Sequence, residues 1–178
     1  MSEETLDAIR RRRTIRRFTG DDLSQEEIET LLEMAMCAPN RLNRQPWHFV
    51  IIRDKALQKQ IADTYQVRPY VEQAPVLFAI GANPAESPTW AMDVSAAAEN
   101  LLLAATAMGL GGAWFGAPDT AFWDQTEALL REALGIPAHV RIPIVLAVGH
   151  PAQELPPHGK HDRFVQTKVH YGKWGEQG

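Results

Sequence analysis

The residues with the clearest chemical potential form a run of arginines near the N-terminus. Six arginines fall within eight positions, Arg10–Arg13 followed by Arg16 and Arg17, with Thr14 between them. Guanidinium forks match phosphate oxygens in a bidentate geometry, and Thr14 adds a hydroxyl group. The run therefore predicts an anion site suited to phosphate. A solvated basic surface is the simpler interpretation, and a nucleic-acid patch is the third.

The distribution of charge argues against the nucleic-acid interpretation. Residues 1–20 carry a net charge of +3, because the six arginines are offset only by Glu3, Glu4 and Asp7. The rest of the chain must carry −7 to give the total of −4. A nucleic-acid surface would need interleaved aromatic residues and basic charge elsewhere, which this sequence lacks. We expect no nucleic-acid partner.

A glycine-rich stretch follows a long alanine-rich segment. Gly109 and Gly111 resemble the start of a dinucleotide fingerprint, but Trp114 occupies the place of its third glycine. The stretch also follows a helix, whereas that fingerprint must follow a strand. The glycines therefore predict either a helix end with tight packing or a close approach to a planar ligand.

Other chemically reactive groups are sparse. Cys37 is the only cysteine, which predicts a small packed residue and fits a reducing, cytoplasmic location. His158 and His161 precede Asp162 in a proline-rich segment without further ligands, so we predict no metal site. Neither a Gly-x-Ser-x-Gly motif nor a catalytic acid pair is present.

Length and composition indicate one globular domain spanning residues 1–178. The chain is 45% apolar and 22% charged, close to the globular average. Residues 101–118 carry no charge, but glycines interrupt them and Glu99 lies on the same predicted helix. We expect a buried core helix there and no membrane association. The acidic start of the chain does not resemble a targeting leader.

Hydrophobic patterning places these groups on alternating helices and strands. Ser24 and Glu27 form a capping box that begins a helix. The aromatic tail from Pro151 is expected to dock on another surface. The alternation predicts an α/β or α+β layered sandwich around a buried central helix. The further predicted elements are strands at 47–52, 76–80, 113–115 and 142–148, and helices at about 54–65, 90–108 and 119–134.

Several of these segments, taken in order, resemble the flavin-dependent nitroreductase family. They are Arg-Arg-Thr-Ile-Arg-Arg-Phe at 12–18, Ala-Pro-Asn-Arg-Leu-Asn-Arg-Gln-Pro-Trp at 38–47, Asn-Leu-Leu-Leu-Ala-Ala at 100–105, Gly-Leu-Gly-Gly-Ala-Trp at 109–114, and Lys160-x-x-Arg163. The first two blocks are the specific ones. The resemblance implies a three-layer α+β sandwich with a mixed central sheet flanked by helices. It also implies an intertwined homodimer, with a C-terminal arm at about 151–178 and one FMN in each of two interface clefts.

The resemblance also assigns cofactor-binding residues. Arg12, Arg13, Thr14 and Arg16 match contacts to the phosphate and the pyrimidine edge of the flavin, and Lys160 and Arg163 match tail residues that reach the phosphate. Asn43 and Gln45 match residues that bind the ribityl chain or ring edge, and Asn40 and Arg41 match positions that approach the flavin from the partner subunit. Trp114, Phe115 and Gly116 match the segment that lies along the ring system.

The activity implied is ping-pong transfer of a hydride from NADH or NADPH, through flavin N5, to a small electron-poor acceptor such as a nitroaromatic or a quinone. The flavin carries the redox chemistry, so no catalytic side chain is expected. The alternatives are a specialised flavoprotein of the same fold (enone reduction, dehydrogenation, dehalogenation or flavin breakdown) and a non-enzymatic flavin-binding protein. Arg41 stands where many members have a small residue, so it could instead bind an acidic acceptor or the phosphate of the nicotinamide cofactor.

Overall fold

The central element is a four-stranded antiparallel sheet. A computed structural model describes residues 3–64 and 68–176. Its strands are β1 (Trp47–Ile52), β2 (Val76–Ala82), β3 (Gly111–Phe115) and β4 (Arg141–Gly149), in the order β1-β2-β4-β3. All four predicted strands are confirmed. The parallel pairing expected of a mixed sheet is represented by one bridge, between Thr14 and Gly112 at the edge of β3.

The predicted helices begin and end close to their observed positions, whereas the short helices at Pro69–Gln73 and Lys160–Arg163 were not predicted. Ser24 and Glu27 form the expected capping box, with reciprocal bonds between side chain and backbone. After the central helix, Gly109 adopts a φ of +77°, and Leu110 N–H donates to the Ala105 carbonyl at 2.8 Å. This is the helix terminator that the glycines predicted. The predicted end of the third helix, Tyr65, lies outside the described residues. The helices are α1 (Glu3–Arg11), α2 (Gln25–Met36), α3 (Lys55–Thr64), α4 (Pro69–Gln73), α5 (Trp90–Ala107), α6 (Ala121–Leu134) and α7 (Lys160–Arg163), with 3₁₀ turns at Arg41–Asn43 and Gln166–Lys168.

Helices cover both faces of the sheet, which gives the three layers expected. Side chains alternate along β2: Phe78 and Ile80 pack with α2 and α5, whereas Leu77 and Ala79 pack with α3, α4 and α6. The two apolar clusters therefore lie on opposite faces, as the period of two along a strand requires. The buried face of α5 includes Ala98 and Leu101, so the uncharged segment is a core helix followed by β3. Among the described residues, no helix is long and apolar enough to cross a membrane.

A bulge in β4 connects the sheet to α6. Ile80 pairs with Ile144 and Ala82 pairs with Arg141, so β4 carries one extra residue here. Pro143 lies in this bulge, where the missing N–H interrupts no regular ladder. Two side chains of α6 bond to the backbone of the neighbouring Ile142: Trp123 Nε1 donates to its carbonyl at 2.9 Å, and Glu127 Oε1 accepts from its N–H at 2.9 Å.

Candidate functional site

The arginine-rich segment leaves α1 and runs beside β3. Arg12 N–H closes the last turn of α1 by donating to the Ala8 carbonyl at 2.9 Å, and Ile15 N–H donates to the Gly112 carbonyl at 2.9 Å. The Ile15 side chain is buried against Gly111, where a Cβ atom would come within 2.6 Å of Ile15 Cγ1. The glycine therefore allows the segment to lie close to the sheet edge, which fixes the backbone of the basic residues.

The C-terminal segment runs back along the same residues in the opposite direction. Ala152 N–H donates to the Arg17 carbonyl at 2.8 Å, and His158 N–H donates to the Arg10 carbonyl at 2.8 Å. Between these contacts, Arg13 Nη1 donates to the Pro156 carbonyl. This pairing brings the tail cations to the N-terminal ones, although the two groups lie far apart in the sequence.

The result is an open cationic cleft of about 570 Å³, large enough for a small organic ligand. Among the described residues that line it, four carry the permanently charged side chains of arginine or lysine, one is His158, and one, Glu99, is acidic. The four are Arg10, Arg12, Lys160 and Arg163. The structure therefore brings together three of the predicted phosphate ligands, Arg12, Lys160 and Arg163.

Two pairings position the arginines of this cleft. Arg12 Nε lies 3.1 Å from Glu99 Oε1, and Arg163 Nε donates to His158 Nδ1 at 3.0 Å. Desolvation and the positive charges of Arg163, Arg13 and Arg12 lower the pKa of His158 below its ordinary value. Desolvation is the larger cause of this lowered pKa, and the nearby arginine charges that add to it also favour an anionic ligand.

Arg13 turns away from the cationic cleft. It lines a neighbouring cleft of about 350 Å³ between the N-terminal segment and residues 151–157 of the tail. Thr14 is half-buried at its bridge to β3, and the Arg16 guanidinium lies 5.7 Å from the centre of the Tyr70 ring. The four residues predicted to contact one end of the flavin therefore face different neighbours. Alternation along the extended backbone separates Arg13 from Arg12 and Thr14.

The segment at the end of β3 is divided between the core and the sheet edge. Phe115 is buried and makes edge-to-face contacts with Tyr70 and Trp123, at centroid distances of 6.2 Å and 6.3 Å. Only its backbone is therefore available to a ligand. Trp114 is half-buried on the opposite face. At Gly116 a Cβ atom would lie 2.2 Å from the Pro143 carbonyl oxygen, so the bulge in β4 requires glycine there.

The loop at residues 40–45 does not line the cationic cleft, and its backbone is unusual. Leu42, Asn43 and Gln45 have φ values of +51°, +53° and +49°. Side-chain hydrogen bonds hold this conformation: Gln45 N–H donates to Asn40 Oδ1, and Gln45 Nε2 donates to Asn43 Oδ1, both at 2.9 Å. Non-glycine residues in this region of conformational space are uncommon and concentrate at functional sites.

A buried carboxylate fastens this loop to α5. Asp93 is 4% exposed and accepts hydrogen bonds from Ser87 Oγ at 2.8 Å and from Thr89 Oγ1 at 3.1 Å. Its other oxygen accepts from the Arg41 N–H at 3.3 Å. The Arg41 side chain is exposed. The predicted residues Asn40, Arg41, Asn43 and Gln45 are therefore grouped with one another, but not with Arg12.

Sequence reasoning did not select three residues of the cleft. Arg10 belongs to the arginine run, but the register that directs it into the cleft is not visible in the sequence. His158 was considered only as a metal ligand, and it instead contacts Arg163. Glu99 lies on a helix far along the chain from Arg12, and no local pattern connects the two residues.

Comparisons with known proteins identify the family and the fold. A model of the nitroreductase family matches residues 9–67 and 66–150. A protein of Archaeoglobus fulgidus described as an NADH dehydrogenase/NAD(P)H nitroreductase is 35% identical over 176 residues, which cover 97% of this chain and 99% of the relative. A crystal structure from Parabacteroides distasonis, described in the same words, has a TM-score of 0.89 at 27% identity and covers 97% of this chain and 100% of its own.

A third comparison includes a ligand. A protein of Desulfovibrio desulfuricans described as a nitroreductase, in complex with FMN, has a TM-score of 0.75 at 34% identity, covering 86% of this chain and 89% of its own. This chain has the fold of the nitroreductase structures. Its own cationic cleft lies beside the sheet. This chain belongs to the nitroreductase family.

Proposed function

We propose that the protein binds FMN and catalyses electron transfer from NADH or NADPH to small electron-poor acceptors such as nitroaromatics or quinones. The observation that carries this proposal is the convergence of Arg12, Lys160 and Arg163 on one open cleft. The family match stops at residue 150, so the assignment of the two tail residues depends on this geometry. The names of the relatives, which include NAD(P)H and FMN, support the choice of cofactors.

The donor set of the cleft fits the phosphate group of FMN. A phosphate monoester carries a charge of about −1.5 to −2 at neutral pH and offers three acceptor oxygens. Two guanidinium groups and an ammonium group supply the matching donors, with Arg10 as a further positive charge. Arg12, Lys160 and Arg163 would hold this end of the cofactor.

The remaining predicted residues would position the ring and ribityl chain. Thr14 and Arg16 are proposed to contact the pyrimidine edge, and the 114–116 backbone to lie along the ring. The Arg13 side chain faces the neighbouring cleft, so it is left out of the proposed phosphate contacts. Bound FMN would supply the redox chemistry, taking two electrons from the nicotinamide and passing them to the acceptor. The positive charges of the chain would stabilise negative charge that develops on the ring.

A homodimer is part of the proposal. The loop at residues 40–45 does not line the cleft within one chain, so a second copy would have to bring it to the flavin. An apolar groove of about 490 Å³ between α1, α2 and α5 is a candidate contact surface, since it includes Met34, Leu103, Ala104 and Met108. The aromatic tail, with Trp174 91% exposed, is a second candidate contact.

The first experiment is a visible absorption spectrum of the purified protein, recorded oxidised and again after anaerobic addition of NADPH or NADH. We expect flavin bands that bleach on addition of the nucleotide. Bands that persist would favour a flavin-binding protein without this activity. A colourless protein that cannot be reconstituted with FMN would refute the proposal.

Variants of the cleft test the phosphate assignment. Arg12→Ala and Lys160→Ala each remove charge-assisted hydrogen bonds, so each should weaken FMN binding by about tenfold or more. Arg17→Ala is the matched control, because Arg17 is an exposed arginine of the same segment that does not line the cleft. Quenching of flavin fluorescence gives the dissociation constants. Equal affinities in all three variants would contradict the assignment.

A further inference from the structure

The carboxylate of Glu99 lines the cleft that is proposed to bind phosphate, and its presence there requires an explanation. Glu99 is the acidic residue among the described lining residues, and a negative charge by itself repels a phosphate. Its Oε1 lies 3.1 Å from Nε of Arg12, the arginine that this site presents to the ligand. The carboxylate therefore contacts one side of the guanidinium group and leaves the two Nη atoms available.

The two ends of this contact lie on rigid elements. The Arg12 backbone is fixed by its hydrogen bond to Ala8 at the end of α1. Glu99 lies on α5, the central helix, which packs on the sheet and on α2, where Asn100 Nδ2 donates to the Met34 carbonyl at 3.2 Å. The long arginine side chain is thus restrained at both its backbone and its Nε atom.

We infer that Glu99 is a positioning residue for the cofactor phosphate: its carboxylate forms an ion pair on the Nε side of Arg12, at 3.1 Å, and holds the guanidinium so that both Nη groups face the cleft. A bidentate pair uses two N–H groups on one edge of the guanidinium, and with Glu99 on the Nε side the edge left for the anion is the one with both Nη groups. Ordering a free arginine side chain on binding costs affinity. Glu99 removes that cost before the ligand arrives. The inference rests on the proposed binding of FMN and extends it to a residue that does not touch the cofactor.

The test compares Glu99→Ala with Glu99→Gln. The alanine variant removes the carboxylate, and we expect FMN affinity to fall by about threefold to tenfold. The glutamine variant keeps the size of the side chain but removes the charge that forms the ion pair with Arg12, so its FMN affinity should fall in the same range. Glu132→Ala, an exposed glutamate of α6, controls for the change in net charge.

Riboflavin separates positioning from general damage to the site. It carries the same ring and ribityl chain as FMN but lacks the phosphate. We therefore expect riboflavin affinity to be the same in the unmodified protein, Glu99→Ala and Glu99→Gln, measured by the same fluorescence titration. Thermal unfolding of the FMN-free proteins provides a second readout, which should stay within about 2 °C because Glu99 is half exposed.

Each other result overturns the inference. If Glu99→Ala binds FMN as tightly as the unmodified protein, or more tightly, the carboxylate does not position Arg12. If it weakens FMN and riboflavin equally, its effect is not on the phosphate. If Glu99→Gln binds FMN as tightly as the unmodified protein, the charge of Glu99 is not what holds Arg12. Failure of the unmodified protein to bind FMN would refute the proposed function itself, and this inference with it.

Discussion

Glu127 provides the sharpest test of how α6 supports the sheet. Its carboxylate is 8% exposed and accepts hydrogen bonds from Arg141 Nε at 2.9 Å, Arg131 Nη2 at 3.2 Å and the Ile142 N–H at 2.9 Å. The Ile142 N–H lies in the bulge of β4, where no neighbouring strand pairs with it. Glu127→Ala would leave this buried donor without an acceptor.

The expected cost can be worked out from these contacts. An unsatisfied buried N–H costs about 1–3 kcal/mol. Arg141 is 34% exposed and also contacts Asp119, so losing its partner adds only about 1 kcal/mol rather than the larger value for a fully buried pair. The free energy of unfolding should therefore fall by about 2–4 kcal/mol, and Tm by about 5–15 °C.

Urea denaturation followed by circular dichroism measures this change. Glu127→Gln keeps an acceptor for the Ile142 N–H and should cost about 1–2 kcal/mol. Glu132→Ala, on the exposed face of the same helix, should stay within about 0.5 kcal/mol. The slope of the transition should be the same in all three variants. A loss below about 1 kcal/mol for Glu127→Ala would show that the bulge does not need α6.

Three further predictions concern single residues. Hydrogen bonds from the backbone and side chain of Ser24 hold the pKa of Glu27 below its ordinary value. The capping box therefore contributes stability that is present above about pH 4.5 and is lost as the pH falls through the lowered pKa. Ser24→Ala should cost about 1 kcal/mol at pH 7 and less at pH 3, and an equal cost at both pH values would contradict this coupling. Asp93→Ala removes an acceptor shared by two hydroxyl groups and one backbone N–H. We expect the free energy of unfolding in urea to fall by about 2–3 kcal/mol and hydrogen exchange in the attached loop to become faster. Unchanged exchange in that loop would refute the role of Asp93. Gly116→Ala places a methyl group against the Pro143 carbonyl and should lower Tm by about 5 °C or more, whereas an unchanged Tm would show that the backbone shifts without strain.

The bulge also connects stability to the proposed site. Trp123 and Glu127 lie one turn apart on α6 and bond to the carbonyl and the N–H of Ile142. The adjacent Pro143 carbonyl packs on Gly116, at the end of the β3 segment that is proposed to lie along the flavin. A shift of α6 would therefore move the backbone at Gly116, although α6 supplies no predicted ligand.

Local patterns predicted the regular elements well. The four strands follow from short apolar runs, and the helix at α2 follows from its capping box, because these signals act between neighbouring residues. The bulge in β4 was not predicted. Pro143 indicated only that the strand begins near it, since the pairing partner that reveals an extra residue lies about sixty positions away.

The site was predicted less evenly than the fold. The arginine run indicated an anion site, and its composition alone supports that reading. It could not show that Arg12 enters one cleft and Arg13 another, because that division depends on the register of an extended backbone against β3. Phe115 was selected from the family resemblance, and only the packing of Tyr70 and Trp123 shows that its side chain belongs to the core.

The sequence by itself determined the order of helices and strands, the cluster of positive charge and the family to which the chain belongs. The tertiary structure decided which of those charges act together. Lys160 and Arg163 reach Arg12 because the tail pairs in the reverse direction with residues 10–17, and Glu99 reaches it because α5 passes beneath. Such contacts depend on how distant segments pack, and no pattern within either segment encodes the position of the other.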